Sequence, residues 1–222
     1  MTTTKPTANA TRVLLAGLIG NVMEWYDFAV YGYFATVIGR EFFPSSDPAS
    51  SLIGAFGAFA AGFLVRPLGG VVFGRIGDLF GRRRALSLSV MAMAIPTVLM
   101  GVLPTHQQIG VAAPIAVVVL RLIQGLSVGG EYTSSIIFLS EQAPQRQRGF
   151  YAIWGLWGSV LGMLLGSGFG DLLAHTLTPD QLGSWGWRLP FLLGALVAFT
   201  GIVIRQGIGA EVIEPQVKAP VR

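Results

Sequence analysis

The sequence predicts an all-α polytopic membrane protein built on six spanning helices, and three observations point there together. Charged residues make up only 12% of the 222-residue chain and hydrophobic ones 52%, whereas soluble domains carry roughly 25% charged residues. The mean hydropathy is +0.63, concentrated in long apolar stretches of the kind a bilayer core demands, about 20 residues each. Lysines and arginines gather in every second connection between those stretches, the pattern of loops kept on the cytoplasmic side of a membrane. A helix is the element that fits, because without water each backbone N–H and C=O must be satisfied within its own segment.

Taken in order, Met1 to Asn9 is polar, with no short apolar core before a small-residue cleavage site, so residues 1–12 read as a cytoplasmic tail rather than a leader. Apolar segments follow near 13–38, 52–74, 85–103, 112–139, 150–174 and 186–205. The connections are short and rich in turn formers, including Pro44 to Pro48, Gly81 to Arg84, Pro104 to His106, Pro144 to Arg146 and Pro179 to Gln181. No soluble domain fits between them. Lys5 and Arg12 precede the first segment, Arg75 and Arg82 to Arg84 follow the second, Arg146 and Arg148 follow the fourth, and Arg205, Lys218 and Arg222 follow the sixth. Both termini are therefore expected in the cytoplasm. Phe42, Phe43, Trp185 and Trp187 fall at the expected outer interface and read as anchors there. The net charge of +4 does not point to nucleic acid, since the arginines lie in short runs between apolar segments. The absence of cysteine excludes disulfides and thiolate metal sites.

Ionisable groups inside the apolar segments are the functional candidates. Glu24 and Asp27 lie in the first, Arg66 in the second, and Arg121 and Glu131 in the fourth. A charge at mid-membrane costs about 2.5–3.5 kcal/mol on insertion scales, so such groups face a bundle interior or a cavity and pair with one another. Glu24 and Asp27 are three residues apart and Tyr31 is four beyond Asp27, so one helix face carries two carboxylates and a phenol. Neighbouring buried carboxylates suit a site that loads and releases a proton; the other reading is that they only neutralise Arg66 and Arg121. Arg121 presents fixed charge to a carboxylate or polar solute, or locks helices together. Arg66 stands before Pro67, where a kink leaves carbonyls in need of partners. Gly125 and Gly129, and the ladder Gly158, Gly162, Gly166 and Gly170, read as faces for close helix packing. His106 and His175 read as solvated loop histidines. No nucleophile triad, metal-ligand spacing or phosphate cradle is present in the sequence, so neither an enzyme, a metal nor a cofactor is expected.

The run Gly74-Arg75-Ile76-Gly77-Asp78-Leu79-Phe80-Gly81-Arg82-Arg83-Arg84 resembles the major facilitator signature G-x-x-x-D-x-x-G-R-x-[RK]. The resemblance implies a gating hinge at Gly74, Asp78, Gly81, Arg82 and Arg84, with Gly74 permitting a tight helix exit. Glu141, Arg146 and Arg148 resemble a companion charge relay. Gly20 to Phe28, Arg66 to Gly70, Gln124 to Tyr132 and Trp185 to Phe191 are similar to the metabolite:proton symporter family, whose members carry proline and betaine, alpha-ketoglutarate, citrate or shikimate. This covers about residues 13–205 and implies the six-helix amino-terminal bundle of the major facilitator fold. It implies uptake of a small organic solute, a carboxylate or a zwitterion, coupled to protons across the plasma (inner) membrane. Residues 206–222 depart from the family pattern and read as a disordered cytoplasmic tail. Such transporters pair two six-helix halves about a midplane site. The expectation is therefore a truncated form, one half of a split transporter, or a half that pairs with a second copy. The competing functional readings are a non-transporting subunit that binds a partner half, and a channel.

Overall fold

The computed structural model describes residues 10–80, 82–129, 136, 139–140 and 143–206. Its helices are α1 (Ala10–Tyr33), α2 (Ala35–Phe42), α3 (Pro48–Leu64), α4 (Arg66–Phe80), α5 (Arg82–Val102), α6 (His106–Ile109), α7 (Ala112–Val128), α8 (Arg148–Thr176), α9 (Pro179–Gln181) and α10 (Arg188–Gln206). A 3-10 turn, Gln145–Gln147, leads into α8, and a π-turn, Leu182–Gly186, leads toward α10.

Local chemistry sets the element ends. Asp47 starts α3: its carboxylate accepts the amides of Ala49 at 3.2 Å and Ser50 at 3.1 Å, and Pro48 occupies the first helical position. Val65 closes α3, and the chain bends by 41° into α4, beside Pro67 with its missing donor. The predicted kink is present. The chain turns from α6 into α7 at Gly110, whose φ of 59° suits a residue without a Cβ. Thr178 and Gln181 cap α9 reciprocally, at 3.3 and 3.0 Å.

The bundle packs α1 against α8 and α10, α5 against α10 and α7, and α3 and α4 against α7. The glycine ladder forms the α1–α8 seam. A Cβ at Gly158 would meet Leu18 O at 2.7 Å, one at Gly166 would meet Tyr26 O at 2.8 Å, and one at Gly162 would press on Val22 O. A second seam joins α7 to the bent α3–α4 pair, where Gly125 lies on the Gly62 carbonyl, Gly129 on the Arg66 carbonyl and Gly69 on the Leu126 carbonyl. Glycine is what lets these backbones touch.

The helices are wrapped in exposed apolar side chains, including Leu64 at 79%, Ile53 at 71% and Leu164 at 68% exposure. Water would penalise such a belt, whereas lipid solvates it. The span Gln145–Thr176 is long and apolar enough to cross a membrane, and the α3–α4 pair qualifies as one bent span. α5 and α7 contain shorter apolar stretches, Leu88–Val102 and Ala112–Val128.

Two expectations need correction. Trp187 and Phe42 are not interfacial anchors: both are fully buried, packed edge to face at 5.7 Å in one core with Phe191. Of the aromatics read as anchors, Trp185 is exposed. Nor does the second span exit at Gly74. α4 runs through it to Phe80, because a single glycine lowers helix propensity by only about 1 kcal/mol and does not end a helix by itself.

Candidate functional site

The site is assembled where α1, α5 and α7 meet. Asp27 and Arg121 are 1% and 2% exposed at their side chains, and an Arg121 Nη1 hydrogen bond to Asp27 Oδ2 joins them as an ion pair. The other carboxylate oxygen, Oδ1, accepts the Thr97 hydroxyl at 2.9 Å and the Gln124 side-chain amide at 3.1 Å. Gln124 Nε2 also lies 2.8 Å from the Thr97 oxygen, and Thr97 Oγ1 lies 2.9 Å from the Met93 carbonyl. A hydroxyl carries one proton, so Thr97 donates either to Asp27 or to its own helix. Arg121 and Gln124, joined by Thr97 when its proton is given to Asp27, offset the loss of hydration of this buried carboxylate.

Arg121 also lies over the Tyr31 ring, its guanidinium carbon 3.9 Å from the centroid, while the Tyr31 hydroxyl donates to Ala55 O at 2.8 Å. One turn toward the amino end of α1, Glu24 pairs with Arg66 at 3.2 Å, with side-chain exposures of 4% and 23%. Arg66 stacks on Phe63 at 3.7 Å and Phe28 at 4.7 Å. It does not serve carbonyls freed by Pro67 among the described contacts; it serves Glu24. The two acids on one helix face thus each take a separate arginine. The glycine seam between α7 and the α3–α4 bend brings both arginines to a partly open recess of about 10 Å³, room for one water-sized group. Phe28, Phe59, Phe63 and Gln124 also line it.

The remaining predicted residues lie elsewhere. Gly74 and Asp78 are exposed on α4; Arg82 and Arg84 open α5; Arg146 sits in the 3-10 turn and Arg148 begins α8. Gly81, Glu131 and Glu141 lie outside the described residues. Among the described residues no cluster of His, Cys, Asp and Glu could hold a metal ion.

Sequence reasoning missed three partners. Thr97 and Gln124 complete the Asp27 site; Gln124 is three residues after Arg121, hence on the same face, and that spacing was the available signal. Thr97 is an isolated hydroxyl in an apolar helix, a signal legible only once its neighbours are known. Arg188, at the start of α10, donates to the carbonyls of Gly101 at 3.2 Å and Leu103 at 2.7 Å, satisfying the end of α5.

The profile of the family described as "sugar (and other) transporter" matches residues 13–206. The chain belongs to this family, within the major facilitator superfamily. It is 41% identical over 197 residues to the glycine betaine/proline/ectoine/pipecolic acid transporter of Dickeya dadantii, covering 89% of this chain and 39% of that protein. With the shikimate transporter of Escherichia coli it shares 43% over 202 residues, 90% of this chain and 46% of the other. With the alpha-ketoglutarate permease of Escherichia coli it shares 40% over 206 residues, 91% and 48% respectively. The chain therefore spans less than half the length of these relatives and corresponds to their amino-terminal part. The fold matches the E. coli xylose transporter in its partially occluded inward-open conformation, with a TM-score of 0.76, 21% identity, and coverage of 91% of this chain and 50% of that one. As a major facilitator chain it is a helical membrane protein of a transporter family and not an enzyme.

Proposed function

We propose that this chain forms one wall of a proton-coupled symporter for a small organic solute bearing a carboxylate, either an organic acid or a zwitterion. The observation that carries this reading is the pair of buried acid–arginine contacts, Asp27–Arg121 and Glu24–Arg66, set beside one recess. When Asp27 takes a proton, its attraction for Arg121 falls and the guanidinium is released to a solute carboxylate; proton loss restores the pair. Glu24 and Arg66 offer a second exchange of the same kind, and Tyr31 fixes the plane in which Arg121 moves. Glu131 is a further candidate acid on the same chain. At the cytoplasmic end, Gly74, Asp78, Gly81, Arg82 and Arg84 with Glu141, Arg146 and Arg148 would form a charge clasp that holds one state closed and breaks in the other. The chain would sit in the plasma (inner) membrane with both termini in the cytoplasm.

Uptake into proteoliposomes tests this. Proline, betaine, alpha-ketoglutarate, citrate and shikimate are the solutes to try, following the relatives' names and the family resemblance. A pH gradient should drive saturable accumulation that an uncoupler abolishes. Asp27→Asn or Glu24→Gln should retain solute exchange while losing accumulation; full proton-driven accumulation in both variants would remove the acids from the coupling step. Electrical conductance without saturation would indicate a channel instead.

A second reading rests on the length relation to the relatives: a half that transports only with a second six-helix half or a second copy. Uptake absent from the chain alone, but present after co-reconstitution with the carboxy-terminal half of a relative, would select it.

A further inference from the structure

A carboxyl group that takes a proton inside a bundle must give that proton to an acceptor, or strand a buried donor. Among the described residues three side chains bond Asp27. Arg121 holds Oδ2, while Gln124 and Thr97 meet at Oδ1. A guanidinium offers no lone pair, and Gln124 turns its amide nitrogen, which only donates, to both Asp27 and Thr97. Of the three, Thr97 Oγ1 is therefore the acceptor. The proton belongs on Oδ1, because Oδ2 faces the Arg121 cation. The other groups around Asp27 are engaged elsewhere. Tyr26 gives its hydroxyl to Pro190 O on α10, Tyr31 gives its own to Ala55 O on α3, and Glu24 pairs with Arg66. α8 meets this part of α1 through Gly155 O, which accepts from Asn21. Thr97 is 2% exposed, and its methyl is pressed so closely on α10 that a Cβ at Gly194 would lie 2.7 Å from Cγ2. That contact holds the side chain in one rotamer and leaves the hydroxyl hydrogen as the part free to turn. It has two acceptors at equal distance, Asp27 Oδ1 and Met93 O, both at 2.9 Å.

We infer that Thr97 is the positioning residue that lets Asp27 take and release a proton within the bundle, by exchanging the direction of one hydrogen bond. With Asp27 ionised, the Thr97 hydroxyl donates to Oδ1. When a proton arrives on Oδ1, that new O–H donates to Thr97 Oγ1 and the Thr97 hydrogen turns to Met93 O. Gln124 Nε2 donates to Thr97 Oγ1 in both states, and a hydroxyl oxygen has two lone pairs to accept both bonds. One proton is added, no bond between heavy atoms forms or breaks, and the shared carboxyl–hydroxyl contact stays satisfied throughout. The inference rests on the proposed role of Asp27 as a proton carrier and supplies the group on which that role depends. It also ties protonation to the shape of α5. Pro96 leaves that helix one hydrogen bond short at this turn, and a threonine hydroxyl bonded to the carbonyl four residues back bends a helix further. α5 packs on both α7 and α10, so the bend would be felt at two seams.

Infrared difference spectra of the full chain in proteoliposomes, recorded as the pH is lowered, test this through the C=O stretch of the protonated Asp27 carboxyl. The band is assigned by its loss in Asp27→Asn. Each hydrogen bond made by a carboxyl group lowers that frequency, so the unsubstituted chain should absorb below a monomeric aliphatic acid in an apolar solvent. Thr97→Val keeps the outline of the side chain and removes the hydroxyl; its band should move up toward the free-acid frequency. Thr97→Ser, which restores the hydroxyl, should bring the band back, a rescue that a purely structural role for the side chain does not produce. A band at the free-acid frequency in the unsubstituted chain overturns the inference without any need for a variant to fold. So does a band that Thr97→Val leaves in place, the result expected if Gln124 turns its carbonyl to the acid instead. Both outcomes leave Asp27 standing as a proton carrier. The absence of any Asp27-dependent band, at every pH at which the chain stays folded, overturns the proton-carrying reading itself and the inference with it.

Discussion

Asp27 and Arg121 are joined where neither is exposed to water. Removing one member strands the other in a medium that cannot solvate it, a loss of about 3–5 kcal/mol. Asp27→Asn and Arg121→Gln are each expected to lower stability by that order in a denaturant titration of the detergent-solubilised chain. The double variant should cost clearly less than the sum, because it leaves no unpaired charge. Strict additivity would mean that the two side chains do not interact in solution. The acids and arginines themselves were legible in the sequence, because an ionisable group within an apolar stretch is conspicuous. Which acid takes which arginine was not, since Arg66 and Arg121 come from different helices whose relative placement sequence spacing does not encode. Thr97 and Gln124 were overlooked for the related reason that uncharged polar residues are common in membrane helices and become informative only through their partners.

At the scale of helices, glycine position separates packing from mere tolerance. Gly162 and Gly168 lie on the same helix, α8. A Cβ on Gly162 would press on Val22 O and meet Tyr26 N at 2.9 Å, whereas one on Gly168 would meet nothing within 4 Å. Gly162→Ala should therefore destabilise by about 1–3 kcal/mol through overpacking. Gly168→Ala should be neutral or stabilise by about 0.4–1 kcal/mol, since the backbone loses freedom only in the unfolded chain. Unfolding midpoints of the two variants side by side make the comparison, and similar losses would show that helix geometry rather than the α1 contact sets the cost. The start of α3 offers a pH test. The Ser50 hydroxyl first, then the amides of Ala49 and Ser50, hold the Asp47 carboxyl below the ordinary carboxylate range. A depressed carboxylate stabilises above its unfolded pKa of about 3.9 and loses that contribution as pH falls through its lower folded value. Protection of the Ala49 and Ser50 amides against exchange, taken relative to the intrinsic rate at each pH, should accordingly be high at neutral pH and fall only at strongly acid pH. Asp47→Ala should show little protection at either pH; protection unchanged by the substitution would remove Asp47 as the cap.

Over the whole molecule, the arrangement of arginines makes a topological claim. The chain contains no cysteine, so single cysteines introduced into it report without interference. With both termini in the cytoplasm, Ser46→Cys in the exposed α2–α3 connection should react with an impermeant maleimide applied outside intact cells. Gly149→Cys, exposed at the start of α8, should react only after the membrane is opened. The reverse pattern would invert the proposed orientation. The belt of exposed leucines and isoleucines around the bundle belongs to the same scale: lipid solvates it, while the polar pairs lie in the interior.

The sequence by itself determined the helical membrane class, the kink beside Pro67 and the small-residue face of α8. Each follows from composition or from spacing along one helix, where geometry is known in advance. Only the tertiary structure decided that Trp187 and Phe42 are core residues and not anchors, that Glu24 belongs to Arg66 and Asp27 to Arg121, and that Thr97 and Gln124 join Asp27. Those are contacts between helices, set by where glycine seams allow backbones to meet, and no periodicity within a single segment contains them.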